Sequence, residues 1–372
     1  MQYRAIGIMS GSSLDGLDIA YVEFDETRGQ WAYDIVAADC LPYTPVWEQD
    51  LRNATQLNAL EYMRLHVRYG HYLGQQVNAF IAQHGLEHRV QLIASHGHTS
   101  FHEPENRLTA QLGDGAAIAA TTGINVVSDL RAMDLALGGQ GAPIVPMGEA
   151  LLLSQYPLLL NLGGIANISA RLQAAPDAEA TTIAFDICPA NRVLNMFTAT
   201  VGLPYDDGGK LAASGHLRDE VLSQLNREPY YSQPFPKSLA NQFGVDTLYP
   251  ILQQANLSVP DALRTMVEHV AVQTVRSVGR LVQKMGVHQP RQLLVTGGGA
   301  ANHFLVERLK MGLQPLGVEL VVPPAQLVNF KEALVMALLG VLRWREENTV
   351  LHSVTGAARS SIGGAVWMGQ EA

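Results

Sequence analysis

The chain has 372 residues, 47% of them hydrophobic and 16% charged, with a formal net charge of −9. That length allows two domains with separate cores, and the composition is that of a packed globular enzyme, not of a disordered or coiled-coil chain. The acidic balance argues against nucleic acid or an anionic membrane as main partner, so an anionic substrate needs a local cluster of donors.

Tyr3 to Met9 is apolar enough for a buried strand, and Leu17 to Phe24, with Ile19 and Tyr21, reads as a second one. Between them Ser10-Gly11-Ser12-Ser13-Leu14-Asp15-Gly16 packs two glycines, three hydroxyls and a carboxylate into seven residues. Glycines let a backbone approach a ligand closely, and successive N–H groups in such a turn form an anion-binding nest. Ser12 and Ser13 add hydroxyl donors, and Asp15 is placed to hold waters on a magnesium ion. An ordinary hairpin turn uses the same residue types, so this segment alone does not decide. No Gly-Lys-Ser/Thr follows as in a Walker loop, and no helix follows at once as in a dinucleotide fingerprint.

Apolar positions at helical spacing, among them Leu65, Tyr69, Leu73, Val77 and Phe80, predict a helix over about 57–83. Gln91 to Ser95 is a short buried strand ending in His96-Gly97-His98-Thr99, and Leu108–Leu112 and Asn125–Val127 are further strands. Two histidines two apart suggest a metal, but no Cys, Asp or Glu partner stands nearby, which argues against ligation. The glycine-rich run Leu137 to Pro143 is the expected domain junction. Roughly 150 residues after the first hairpin, Leu158 to Ser169 repeats it around Gly163-Gly164.

Thr182–Asp186 is a strand followed by a helix over about 190–201, and a long helix is expected over about 260–284. Leu293–Val295, then Thr296-Gly297-Gly298-Gly299-Ala300, then a helix over about 302–311, is what a nucleotide's base and ribose need, though a tight strand-to-helix connection explains this motif alone at least as well. A last helix is expected over about 330–345, and its apolar run Ala333–Leu342 is too short to span a bilayer. Strands and helices alternate throughout, so the class is α/β. Cys40 and Cys188 are too few for a disulfide framework or a structural zinc site, and the N-terminus shows no secretory signal; both suit a cytoplasmic protein.

The wording Met9-Ser10-Gly11-Ser12-Ser13-Leu14-Asp15-Gly16-Leu17-Asp18 resembles the first phosphate motif of the actin, sugar-kinase and heat-shock-ATPase superfamily, and within it the anhydro-N-acetylmuramic acid kinase family. Further similar blocks run nearly the whole chain: Ser95 to Thr99, Gln111 to Asp114, Gly138 to Pro143, Asn161 to Asn167, Phe185-Asp186, Asp207 to Gly209, Pro236 to Ser238 and Thr296 to Gly299. The resemblance implies a two-lobed, ribonuclease H-like fold with a duplicated mixed sheet and a central cleft. Residues 1–131 plus 352–372 would form the first lobe, with Gly363 to Trp367 returning as a strand, and 132–351 the second.

It also implies the chemistry. Such kinases open the 1,6-anhydro ring of an amino sugar with water and place the ATP γ-phosphate on the freed oxygen at carbon six. Asp186 would be the base, although on local pattern alone a helix-capping aspartate is the better reading. ATP with magnesium would sit on Gly11, Ser12, Ser13, Leu14, Asp15, Gly16, Leu17 and Asp18, on Gly163 and Gly164, and on Gly297, Gly298 and Gly299, with Asp15 reaching the metal through water. Arg131, Glu332 and His96 would face the sugar, Arg131 through its lactyl carboxylate. The implied partners are the sugar and ATP, with no nucleic acid or membrane, and with a homodimer left open. A kinase of another sugar or carboxylate, and a heat-shock-type ATP-dependent clamp, are the alternatives.

Three positions depart from the family. Ser12 replaces a Thr, and His98 stands where Gln is common. Ile187-Cys188-Pro189-Ala190-Asn191 replaces a turn with two glycines, which restricts the backbone beside Asp186 and bears on sugar specificity. Cys188 has no evident base, so packing is the better account of it than nucleophilic catalysis.

Overall fold

The computed structural model describes residues 1–369 except 12, 13, 15, 174–176, 178–179, 236, 241 and 287–288. Among the described residues the first strands are β1 (Gln2–Ser10), β2 (Leu17–Thr27), β3 (Gln30–Leu41), β4 (Leu92–Glu103), β5 (Leu108–Leu112) and β6 (Asn125–Ser128). They are followed by β7 (Leu158–Leu162), β8 (Ile165–Leu172), β9 (Thr181–Pro189), β10 (Gln292–Thr296), β11 (Glu319–Val321) and β12 (Ala365–Trp367).

The chain divides into two compact units, Met1–Ser154 with Phe330–Ala372, and Gln155–Asn329. The expected boundaries at 131 and 352 differ from this division. The glycine-rich run near 140 lies inside the first unit, where the Asp134 carboxylate accepts from the Gly141 amide at 2.7 Å and from Thr355 Oγ1 at 2.7 Å. Glycine there serves a tight internal loop, not a linker: a Cβ on Gly141, whose φ is +65°, would stand 2.2 Å from Leu135 Cδ1.

The first unit holds a mixed sheet in the order β12-β6-β4-β1-β2-β3, with β5 on β4. Side chains alternate across β1. Ile6 and Ile8 join the core beneath the helix Ala59–His84, with Leu65, Tyr69, Leu73 and Val77. That helix starts at the Asn58 cap, whose side chain accepts from the Glu61 amide at 3.0 Å, and stops at left-handed Gly85. Gly7, on the other face of β1, meets the helix Ala325–Trp344. This helix is longer than the ten-residue apolar run indicates and could cross a membrane by length and composition alone, but its apolar window is 72% buried. Residues Ala333 to Leu339 are at most 1% exposed, as in a core helix. β12 returns antiparallel to β6, as expected.

The second unit's sheet runs β11-β10-β7-β8-β9, with β10 parallel to β7 and the β7–β8 hairpin antiparallel. Its core joins this sheet to the helices Asn191–Ala199, Val259–Val282 and His303–Leu313.

Candidate active site

In the second unit three segments converge. The Gly163–Gly164 turn between β7 and β8 is bound from behind by the start of the helix Asn191–Ala199. The Asn191 amide donates to the Gly163 carbonyl at 3.1 Å, and the amides of Ala190 and Arg192 donate to the Gly164 carbonyl at 2.8 and 3.3 Å. In a trans peptide the N–H points opposite to the C=O, so the Gly164 N–H faces away from that helix. A Cβ on Gly164 would meet nothing closer than 3.7 Å, so the protein itself leaves space at this turn.

The Gly297–Gly299 run lies against the same hairpin. A Cβ on Gly297, whose φ is +80°, would be 2.5 Å from Asn161 Oδ1, and one on Gly299 would be 2.6 Å from Leu162 Cβ. Gly298 is different, because its nearest neighbour would be Asn191 Nδ2 at 3.9 Å. Asn191 ties the segments together by donating to the Leu162 carbonyl at 3.0 Å. Thr296 Oγ1 is buried beneath the run and has no hydrogen-bond partner among the described residues. The Asp207-Gly208-Gly209 block packs on the far end of the run: a Cβ on Gly209 would be 2.1 Å from Asn302 Oδ1, which caps the helix His303–Leu313.

Asp186 lies within β9, not at its end. The strand was expected to stop at 186 but continues to Pro189, because Cys188 pairs with Ala166 and Pro189 with Ile165. A register shift next to Asn167, the partner of Asp186, bends the ladder there. The segment 237–239 runs alongside: the Asp186 amide donates to the Lys237 carbonyl at 3.0 Å, and the Leu239 amide donates to Asp186 Oδ2 at 2.8 Å. Tyr230 donates to the Asp186 carbonyl at 2.6 Å, and Lys237 Nζ lies 4.2 Å over the Tyr230 ring. Burial raises the Asp186 pKa, against the opposing pull of the Leu239 N–H. Cys188 is fully buried in the core and its thiol pKa is pushed up by that burial, so it packs and does not attack.

In the first unit Ser10 pairs with Leu17 across the hairpin, and the Leu14 amide donates to the Gly11 carbonyl at 3.3 Å. Leu14 and Leu17 turn their side chains into the core, and Gly16 is required by β3, since a Cβ would be 2.7 Å from Cys40 Sγ. Asp18 is half-buried on β2. Ser12, Ser13 and Asp15 lie outside the described residues.

Arg131 and His96 meet directly: Arg131 Nε donates to His96 Nε2 at 2.9 Å, and Arg131 Nη1 to the Gly141 carbonyl at 2.8 Å. His96 Nδ1 donates to the Gly97 carbonyl at 2.8 Å, so both ring nitrogens are engaged. Burial first, then the Arg131 charge, pulls the His96 pKa down to about 3, which keeps the ring neutral. Burial lowers Arg131 to about 10, still charged at neutral pH. Glu332 is raised by burial, against the pull of Lys331 and Arg131. Its neighbour Lys331 pairs with buried Glu149 at 2.6 Å.

The sequence profile of the anhydro-N-acetylmuramic acid kinase family matches residues 3–369. An anhydro-N-acetylmuramic acid kinase of Coxiella burnetii (strain Dugway 5J108-111) is 35% identical over 379 residues, covering 99% of this chain and 98% of that one. One from Vibrio vulnificus (strain CMCP6) is 32% identical over 375 residues, covering 96% of each. Among solved structures, the activator of the 2-hydroxyisocaproyl-CoA dehydratase from Clostridium difficile with bound ADPNP aligns with a TM-score of 0.45 at 14% identity, over 92% of this chain and 96% of that one.

A chain matched to kinases over nearly its whole length, with glycine turns opening both sheets and a half-buried carboxylate beside one of them, is a phosphotransferase. It belongs to the anhydro-N-acetylmuramic acid kinase family.

Asn191, Tyr230 and Leu239 hold these segments in place and were not singled out in the sequence. Asn191 follows the departing Cys-Pro-Ala turn, and Leu239 follows the Pro-Lys-Ser block, so position within a family block was the available signal.

Proposed function

We propose that this kinase opens the 1,6-anhydro ring of anhydro-N-acetylmuramic acid with water and phosphorylates the released oxygen, giving N-acetylmuramic acid 6-phosphate and ADP. The observation that carries the mechanism is the division of labour at Asp186. Oδ2 is held by the Leu239 amide, which leaves Oδ1 to take a proton from water. The hydroxide attacks the anomeric carbon, the bond from that carbon to the bridging oxygen breaks, and its electrons stay on the oxygen at carbon six. That oxygen attacks the γ-phosphorus, ADP leaves, and Asp186 later sheds its proton to solvent. Burial raises the Asp186 pKa, which makes its carboxylate a stronger base toward water.

The Gly164 N–H and the open face of Gly298 fit a nucleotide, its phosphate at the turn and its adenosine over the glycine run. Arg131, aimed by His96, fits the lactyl carboxylate, and Glu332 a sugar hydroxyl. Magnesium, which needs only one or two carboxylates beside the ATP phosphates, would screen their charge, with Asp15 holding its waters. The reading includes a cytoplasmic location and no nucleic-acid partner, supported by the net charge of −9 and two cysteines. A homodimer is compatible with it.

Reaction in oxygen-labelled water tests the scheme. Label should appear on the anomeric carbon and none on carbon six, read before the free anomeric hydroxyl exchanges. Label at carbon six, or phosphorylated sugar with the ring still closed, would overturn it.

A further inference from the structure

The strand β4 carries two histidines on either side of Gly97, and only His96 has a part in the scheme above. His98 is 5% exposed, and its Nδ1 lies 3.0 Å from Ser10 Oγ. Ser10 is 3% exposed and is the last residue of β1, immediately before the turn that begins at Gly11. The contact depends on a bulge: Ile8 pairs with Ser95, but Ser10 pairs with His98, so β4 spends one residue more than β1 over this interval. Gly97 sits in the bulge with φ +70°, and a Cβ there would be 2.5 Å from the Leu112 carbonyl oxygen. Only glycine fits this backbone.

Ser10 is engaged from a second side. Tyr43 donates to Ser10 Oγ at 2.7 Å, and the Tyr43 and Tyr69 hydroxyls are 2.6 Å apart. Tyr43 has one hydroxyl proton, already given to Ser10, so Tyr69 donates to Tyr43. Ser10 then has its own proton left for His98 Nδ1. The result is a one-way chain, Tyr69 to Tyr43 to Ser10 to His98, in which every hydroxyl gives one hydrogen bond and the imidazole is the terminal acceptor. Burial draws the His98 pKa down to about 4, so the ring is neutral at neutral pH, and the Ser10 donation places its single proton on Nε2.

We propose that His98 is a positioning residue for nucleotide binding: as terminal acceptor of this chain it fixes Ser10, and with Ser10 the backbone at Gly11 where the glycine-serine segment begins. This rests on the reading of that turn as a phosphate site. The same bulge serves the sugar side independently, since the Gly97 carbonyl holds His96 and His96 holds Arg131.

The test separates the two substrates. His98→Leu keeps bulk and removes the acceptor, while His98→Asn places an amide oxygen where Nδ1 stands. With His98→Leu the KM for ATP and the Kd of a non-hydrolysable ATP analogue should rise ~3–10-fold, the worth of one buried hydrogen bond, with the sugar KM within about twofold. His98→Asn should restore most of the loss. Ser10→Ala should match His98→Leu, and the double variant should be no worse than either alone, because both break one chain. Should His98→Leu fail to fold, Tyr43→Phe paired with Ser10→Ala reads the same coupling. Losses that add in full, equal rises in both KM values, or no rescue by Asn in a folded protein would overturn the proposal. If the wild type binds the analogue yet yields no phosphorylated sugar, the functional reading falls, and the Kd values still decide the role of His98.

Discussion

Gly7 of β1 and Ala333 of the helix Ala325–Trp344 are in backbone contact: a Cβ on Gly7 would stand 1.9 Å from the Ala333 carbonyl oxygen and 2.7 Å from the Ala337 amide nitrogen. Gly340, two turns on, makes a similar approach to Ala94 of β4, where a Cβ would be 2.6 Å from the Ala94 Cβ. The helix therefore lies directly on the strands, and Glu332 is fixed in place one residue before the contact. Gly7→Ala must push helix and sheet apart. Overpacking of this kind costs ~1–3 kcal/mol or more, which a denaturant titration would read as a lower midpoint at unchanged slope. The sugar KM should rise as Glu332 moves; a variant with wild-type stability would show that the helix can slide without loss.

Asp186→Asn keeps the size of the side chain and still accepts from the Leu239 amide through its oxygen. If Asp186 is the base as proposed, turnover should fall by about a hundredfold or more with little change in either KM, because a base acts in the transition state. Its stability should move the other way. Burial favours the protonated form, so the folded wild type loses stability as pH rises from the ordinary aspartate value through the raised one. At neutral pH the Asn variant escapes that cost and should melt at the same temperature or higher. A clear drop in Tm would count against a buried, functionally strained carboxylate.

His96, His98 and His269 are buried and neutral, with pKa values drawn down to about 3, 4 and 3, chiefly by desolvation. In the unfolded chain each takes a proton near pH 6.5, so between that value and the folded pKa the unfolded state binds more protons. Stability should therefore fall as pH drops from neutral toward 4. Urea titrations at several pH values should show this slope, and His98→Asn should make it shallower. A flat profile from pH 7 to 5 would mean that these rings are protonated in the folded state.

The three glycines of the 297–299 run should respond differently. Gly297→Val and Gly299→Val collide with Asn161 and Leu162 and should destabilise the protein itself. Gly298→Val meets no protein atom closer than 3.9 Å on Cβ, so it should fold normally yet lose ~10-fold or more in ATP affinity by filling the ligand's side of the run. Calorimetric titration with the analogue would settle it, and unchanged affinity in a folded Gly298→Val would move the adenosine elsewhere.

The hairpins and the glycine run were legible in the sequence because each couples a sharp local signal, glycine beside a strand-like run, to a simple geometry. β3 was not. It is an edge strand of mixed Ala, Asp and Tyr with only two of its twelve residues buried, so no run of buried apolar residues marks it. The extension of β9 past Asp186 was missed for a related reason: Ile187, Cys188 and Pro189 read as the lead-in to a helix, and only pairing with β8 makes them strand. The carboxylate was identifiable from its family block, but what holds it, Leu239 and Tyr230, lies more than forty residues away in sequence. The Gly97 bulge has no local signature beyond one glycine, because its meaning depends on the strand beside it.

At the Gly163–Gly164 turn, the amides that begin the helix Asn191–Ala199 are occupied by carbonyls of the same unit, so that helix end has little left to offer an anion directly. Its partial positive charge acts instead on two peptide groups, polarising them so that the outward Gly164 N–H becomes the more strongly donating end. On the proposed reading of this turn, an acidic chain gains a donor for phosphate without assembling lysines around it. Gly164 is exposed, so salt reaches the turn, but a dipole carries no net charge and phosphate recognition there should depend less steeply on salt than binding to a basic patch.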